Sequence, residues 1–79
     1  MGYEEILKKV IEVFATMTDA EEITADSEIV EDLDISSMDV MMLISSLEVE
    51  FKISVPEKEM RKMVVVGDVA DTIERLVNK

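Results

Sequence analysis

Apolar positions at the start of the chain recur at helical intervals. Ile6, Val10, Val13, Phe14 and Met17 form one stripe flanked by Leu7 and Ile11, while Glu4, Glu5, Lys8, Lys9 and Glu12 cover the other side. The pattern predicts an amphipathic first helix of about three to four turns. From Thr18 to Ile35 the periodicity fails and Asp, Thr and Ser become frequent. This stretch reads as a long loop pinned to the core by Ile23, Ile29, Val30 and Leu33. An ordered loop of that length inside a small domain is usually functional.

The run from Glu31 to Phe51 is the stretch around which the chain is organised: an acidic turn, a serine pair, then a strongly apolar helix. Ser36 suits an N-cap, because its side-chain oxygen can accept from a backbone N–H of the first turn. Asp39 holds the reciprocal place of a capping box. Ser37 is then the first fully helical residue, with its hydroxyl at the positive end of the helix, a position that tolerates an added phosphate. The predicted second helix spans roughly Ser37 to Phe51, with Met41, Ile44, Leu47 and Phe51 or their neighbours facing inward. Ile53-Ser54-Val55 alternates like a strand but is too short to make a sheet alone. Pro56 opens a short third helix, about Glu57 to Lys62, since proline is pre-organised for a first helical position. Val64-Val65-Val66 leans towards extended backbone. Gly67-Asp68 is expected to break it and cap a last helix striped by Val69, Ala70, Ile73, Leu76 and Val77. The expected fold is all-α: a small antiparallel bundle of three main helices and one short one, with a long loop between the first and second. Residues 1–79 form a single domain without repeats.

Composition narrows the chemistry. A chain of 79 residues buries about 60% of its unfolded surface. With three aromatics and seven Met, the core must be aliphatic with adaptable filler. There is no Cys and no His, so disulfides, thiolate zinc sites and the usual general base are all missing. The remaining nucleophile–base options pair Ser with Lys or a carboxylate, and the lysines lie far in sequence from the serine pair, so an enzyme in its own right is not expected. An EF-hand loop starting at Asp32 would need Gly at its sixth place and Glu at its twelfth. The chain has Ser37 and Leu43 there, which leaves only weak divalent binding by clustered carboxylates. No apolar run approaches the ~18 residues of a membrane span, and the N-terminus has no basic region followed by an apolar core. The expected location is the cytoplasm.

The formal net charge is −11, and no Lys or Arg stands between Lys9 and Lys52. Such a field repels nucleic acid and anionic lipid and steers basic protein surfaces into contact. The second helix carries an apolar surplus: Met38, Val40, Met41, Met42, Leu43 and Ile44 surround its first two turns. One face can be buried, so the surplus points to a Met-rich surface for a partner or an apolar ligand.

These residues resemble those of the acyl carrier protein family over nearly the whole chain. Glu22-Ile23-Thr24-Ala25-Asp26-Ser27 and Val30-Glu31-Asp32-Leu33 are similar to the loop that precedes the family's modified serine. Leu47-Glu48-Val49-Glu50-Phe51 followed by Ile53-Ser54-Val55-Pro56 resembles its L-E-x-x-F…I-P segment, and Val66-Gly67-Asp68-Val69-Ala70 the start of its last helix. The resemblance implies a 4′-phosphopantetheine arm, derived from coenzyme A, on the serine of a D-S-L motif, here Ser37. It implies an acyl cavity between the second and third helices lined by Leu47, Val55, Met60, Met63 and Ala70. It also implies a partner face on the second helix, with Met38, Asp39, Val40, Met42 and Glu48. The implied partners are a phosphopantetheinyl transferase and the acyl-transferring and condensing enzymes of fatty acid, polyketide or related synthesis, with basic or apolar docking patches, and the carrier is expected to be a monomer.

The chain departs from the family at Ser36-Ser37-Met38, where the carboxylate usual before the serine is absent and Ser36 becomes a second candidate acceptor. Asp34 replaces the usual Gly after the acidic turn, a residue that still tolerates left-handed backbone. Val40, Met42 and Val49 stand where acidic or polar residues are common, which predicts partner contacts more apolar and less salt-sensitive than is usual. The competing expectation is a carrier-like interaction or regulatory module that never takes the arm.

Overall fold

The computed structural model describes residues 2–78 and contains α1 (Tyr3–Ala15), α2 (Ser37–Phe51), α3 (Glu57–Met60) and α4 (Val66–Val77). Among the described residues there is no strand beyond a single antiparallel bridge between Glu28 and Val65. The apolar stripe of α1 buries Ile6, Val10 and Phe14, chiefly against α4 and to a smaller extent against α2. Thr16 ends α1: its hydroxyl donates to the Val13 carbonyl at 2.6 Å. Met17 therefore lies past the helix, half-buried, although it continues the helical spacing. From α4, Val66, Val69, Ala70 and Ile73 complete the core. Thr72 is buried beside them, and its hydroxyl is satisfied by the Asp68 carbonyl at 3.0 Å.

The last helix begins earlier than its sequence suggests, because Gly67 and Asp68 lie inside its first turn. Orphan N–H groups at a helix start need partners, and the long loop supplies them. Val66 N–H donates to the Ser27 carbonyl at 2.9 Å and Gly67 N–H to the Ala25 carbonyl at 2.8 Å. Asp68 then turns its carboxylate back to accept from the N–H groups of Val64 and Val65, at 2.9 and 3.0 Å. Gly67 is required by close approach, since a Cβ there would stand 3.0 Å from the Ala25 carbonyl oxygen.

The loop is ordered by its own turns as well as by α4. Ile29, Leu33 and Ile35 are its buried anchors. Ile23 is half-buried and Val30 is 58% exposed, so Val30 does not pin the loop as expected. Ile29 takes the inward place expected of it, with its N–H donating to the Val64 carbonyl at 2.9 Å. The acidic turn closes when Asp32 accepts the Glu28 N–H at 2.8 Å and the Glu28 carbonyl accepts from Asp32 and Leu33. Thr18 crosses the loop, donating its hydroxyl to the Leu33 carbonyl at 2.9 Å. Asp34 adopts left-handed backbone, φ 53°, in the place where the family's Gly was expected.

Helix α2 buries Leu43, Ile44 and Leu47. Met41, expected inward, is half-exposed, because the short α3 leaves that side of α2 uncovered. At its other end Lys52 turns left-handed, φ 56°, and donates to the Glu48 carbonyl. The Glu48 carboxylate accepts the Val55 N–H at 2.7 Å, which fixes Ile53-Ser54-Val55 as a tight connection. Helix α3 ends at Met60, two residues before the sequence estimate, with Arg61 and Lys62 in the turn that follows.

Candidate functional site

The two serines at the start of α2 take different roles. Ser36 is the N-cap in extended backbone, and its Oγ accepts the Asp39 N–H at 3.2 Å. Its hydroxyl oxygen is committed to the helix. Ser37 is the first helical residue, exposed, and opens onto a cleft of about 380 Å³. Val40 and Met41 continue the α2 wall of that cleft, Ile29 and Val30 form its loop side, and Glu57, Met60, Arg61 and Met63 close the side of α3. The walls are therefore mainly aliphatic and thioether, with one acidic and one basic side chain at the α3 edge.

Of the five residues expected around an acyl chain, Met60 and Met63 line this cleft. Leu47, Val55 and Ala70 lie instead in the closed core, at 0%, 6% and 0% exposure. The expected partner face is also divided. Met38 and Met42 are 77% and 63% exposed, Asp39 is exposed, and Val49 beside them is 80% exposed. Val40 turns half-buried into the cleft, and Glu48 is bonded to the Val55 amide. Sequence reasoning missed Ile29, Val30, Met41, Glu57 and Arg61 as cleft residues. The available signal was the apolar excess early in α2, which a four-residue α3 is too short to cover.

The one cation among the residues lining the cleft is paired. Arg61 donates to Glu57 Oε1 at 3.0 Å, one turn away on α3. Arg75 reaches from α4 to Glu59 Oε2 at 2.7 Å, and that hydrogen bond holds the Glu59 carboxyl below the usual carboxylate range. Lys9 joins α1 to α2 through Glu50 at 3.0 Å, which pushes its ammonium pKa up. Among the described residues, no three Asp or Glu side chains converge as a metal site.

Residues 4–73 match the model of the family described as "phosphopantetheine attachment site". The chain belongs to the acyl carrier protein family. It is 39% identical over 74 residues to the acyl carrier protein of Campylobacter hominis, covering 94% of this chain and 91% of that protein. It is 45% identical over 56 residues to the Helicobacter pylori acyl carrier protein, covering 71% and 72% of the two chains. Among solved structures, the acyl carrier protein of Enterococcus faecalis superposes with a TM-score of 0.81 at 31% identity, covering 96% of this chain and 99% of that one. That of Thermotoga maritima reaches 0.83 at 22% identity, over 96% and 91% of the chains, and shares the fold.

Membership brings a covalently attached 4′-phosphopantetheine. The residues present fit such a group. An exposed serine hydroxyl stands at the first helical position, beside a cleft whose apolar walls suit a flexible chain and whose rim carries a guanidinium. Among the described residues no helix is long and apolar enough to cross a membrane.

Proposed function

We propose that Ser37 bears the arm and that the chain shuttles acyl groups, as thioesters, between enzymes of fatty acid, polyketide or related synthesis. The observation that carries this reading is Ser37 itself: exposed, at the start of α2, and on the wall of the apolar cleft. The arm supplies the thiol that a chain without Cys lacks. Ser37 Oγ supplies the acceptor oxygen to a phosphopantetheinyl transferase, joining the phosphopantetheine of coenzyme A with release of adenosine 3′,5′-bisphosphate. Ser36 is the poorer acceptor because its Oγ is engaged in capping. The chain itself performs no catalysis and acts as a cytoplasmic monomer.

Cargo is held against Met41, Met60 and Met63, whose unbranched side chains adapt to chains of different shape. Partners dock on the outer face of α2, where Met38, Met42 and Val49 offer apolar area and Asp39 one charge. Intact mass after incubation with coenzyme A, magnesium and a broad-specificity transferase tests the reading. A gain of one phosphopantetheine in the parent and none in Ser37→Ala is expected. A gain in both moves the site to Ser36, and no gain on a folded sample makes an unmodified interaction module the better account.

A further inference from the structure

We infer that Arg61 is a phosphodiester-binding residue, holding the arm's linkage over the cleft by exchanging Glu57 for the phosphate. The inference rests on the arm being at Ser37. Arg61 and Ser37 line the same cleft, and Arg61 is the sole cation among its lining residues. The surrounding charge makes that cation conspicuous: the chain carries a net −11, and no Lys or Arg stands between Lys9 and Lys52. A phosphodiester at Ser37 adds another anion to the acidic stretch of chain that holds Glu31, Asp32, Asp34 and Asp39, and a counter-charge stabilises it.

Arg61 is free to supply it. Its present partner, Glu57, is one helical turn away, and the two side chains are 74% and 68% exposed. Exposed pairs at this spacing add little to stability, so exchange costs little. A guanidinium fits two phosphate oxygens at once, a geometry an ammonium does not reproduce. Arg75 makes the useful contrast. Its Glu59 partner is only 17% exposed and the bond is shorter, 2.7 Å, so it stays committed to linking α3 and α4. With Arg61 on the phosphate, the rest of the arm is directed along the Met-lined walls. With Arg61 on Glu57, the arm is released towards partners. Arg61 is thus a positioning residue for sheltering against delivery.

The chain has two arginines, Arg61 and Arg75, so their side-chain Nε–H signals can be followed by NMR in apo and loaded samples verified by intact mass. The Arg61 signal is expected to shift on loading while that of Arg75 stays. The ³¹P signal of the loaded chain is expected to move in Arg61→Gln, to be partly restored in Arg61→Lys, and to move the opposite way in Glu57→Gln, which frees the guanidinium. A loaded chain in which the Arg61 signal and the ³¹P signal of Arg61→Gln are both unchanged overturns this assignment alone. A chain that takes no phosphopantetheine overturns the Ser37 reading and this one with it.

Discussion

The two sides of α2 are built from similar aliphatic residues and have opposite fates. On the side that faces the core, Leu43, Ile44 and Leu47 are at most 1% exposed and belong to one buried cluster with Phe14, Val10 and Ile73. Towards α3, Val40 is half-buried and Met41 is 51% exposed, and the space between them and α3 is a cleft; Met38 and Met42 stand outside it, 77% and 63% exposed. The difference comes from what stands opposite. The first side joins the core that helices of 13 and 12 residues build, whereas a helix of four and a loop face the second. Apolar residue type therefore does not decide burial here; the length of the covering element does. One side is the stable body, and the other is the open side to which we assign the arm, its cargo and its partners.

Breaking the sealed side should cost most. Phe14→Ala removes a fully buried ring and is expected to destabilise by about 3–5 kcal/mol, read from urea unfolding of the apo chain. Next is the connection that sets α3. Glu48→Lys removes the acceptor of the Val55 amide and is expected to cost about 1–2 kcal/mol, with faster hydrogen exchange at Val55. Glu48 thereby separates from the partner face: a loss of docking in this variant reflects a displaced α3, and an unchanged stability would return it to that face. Gly67→Ala forces a Cβ against the Ala25 carbonyl. Its expected net cost is about 1 kcal/mol, crowding outweighing the gain in helix propensity. Exchange of the Gly67 amide should accelerate with it.

The open side should respond differently. Met42→Gln is expected to change stability by less than about 0.5 kcal/mol, yet to weaken docking on a partner enzyme, with a dissociation constant that varies little with added salt. A steep salt dependence would show that charge dominates that face. The smallest effect concerns pH. The Glu59 carboxyl is held low by Arg75, so its contribution to stability is complete above the ordinary carboxylate value and is lost as pH falls through the lowered one. Arg75→Gln should therefore cost a small amount of stability near neutrality and flatten the acid limb, so that the two proteins converge below the lowered carboxyl value, which acid titration of the two compares.

How much of this was legible in the sequence follows the same division. The stripes of α1 and α4 and the Ser36 cap announce themselves because helix period and capping are local properties. The resemblance added the position of Ser37 and the left-handed residue at Asp34, both of which the geometry accommodates. What stayed hidden was non-local. That Val66 and Gly67 donate to loop carbonyls, moving the start of α4, depends on two segments about 40 residues apart. That Val30 faces out and Ile35 faces in depends on loop turns which apolar content does not register. The cleft escaped notice for the same reason. Arg61 and Ser37 line one cleft from different elements, and no spacing rule relates them.

The central claim is that function lies on the open side of α2 and that the closed side only supports it. Amide hydrogen exchange of the apo chain against the chain loaded with a medium-length acyl group tests this most directly. Slower exchange is predicted at Ile29, Val30, Val40, Met41, Met60 and Met63, with α1 and the core stretch of α4 unchanged. Slower exchange centred on Leu47, Val55 and Ala70, with the cleft unaffected, would place the cargo inside the core and contradict the account.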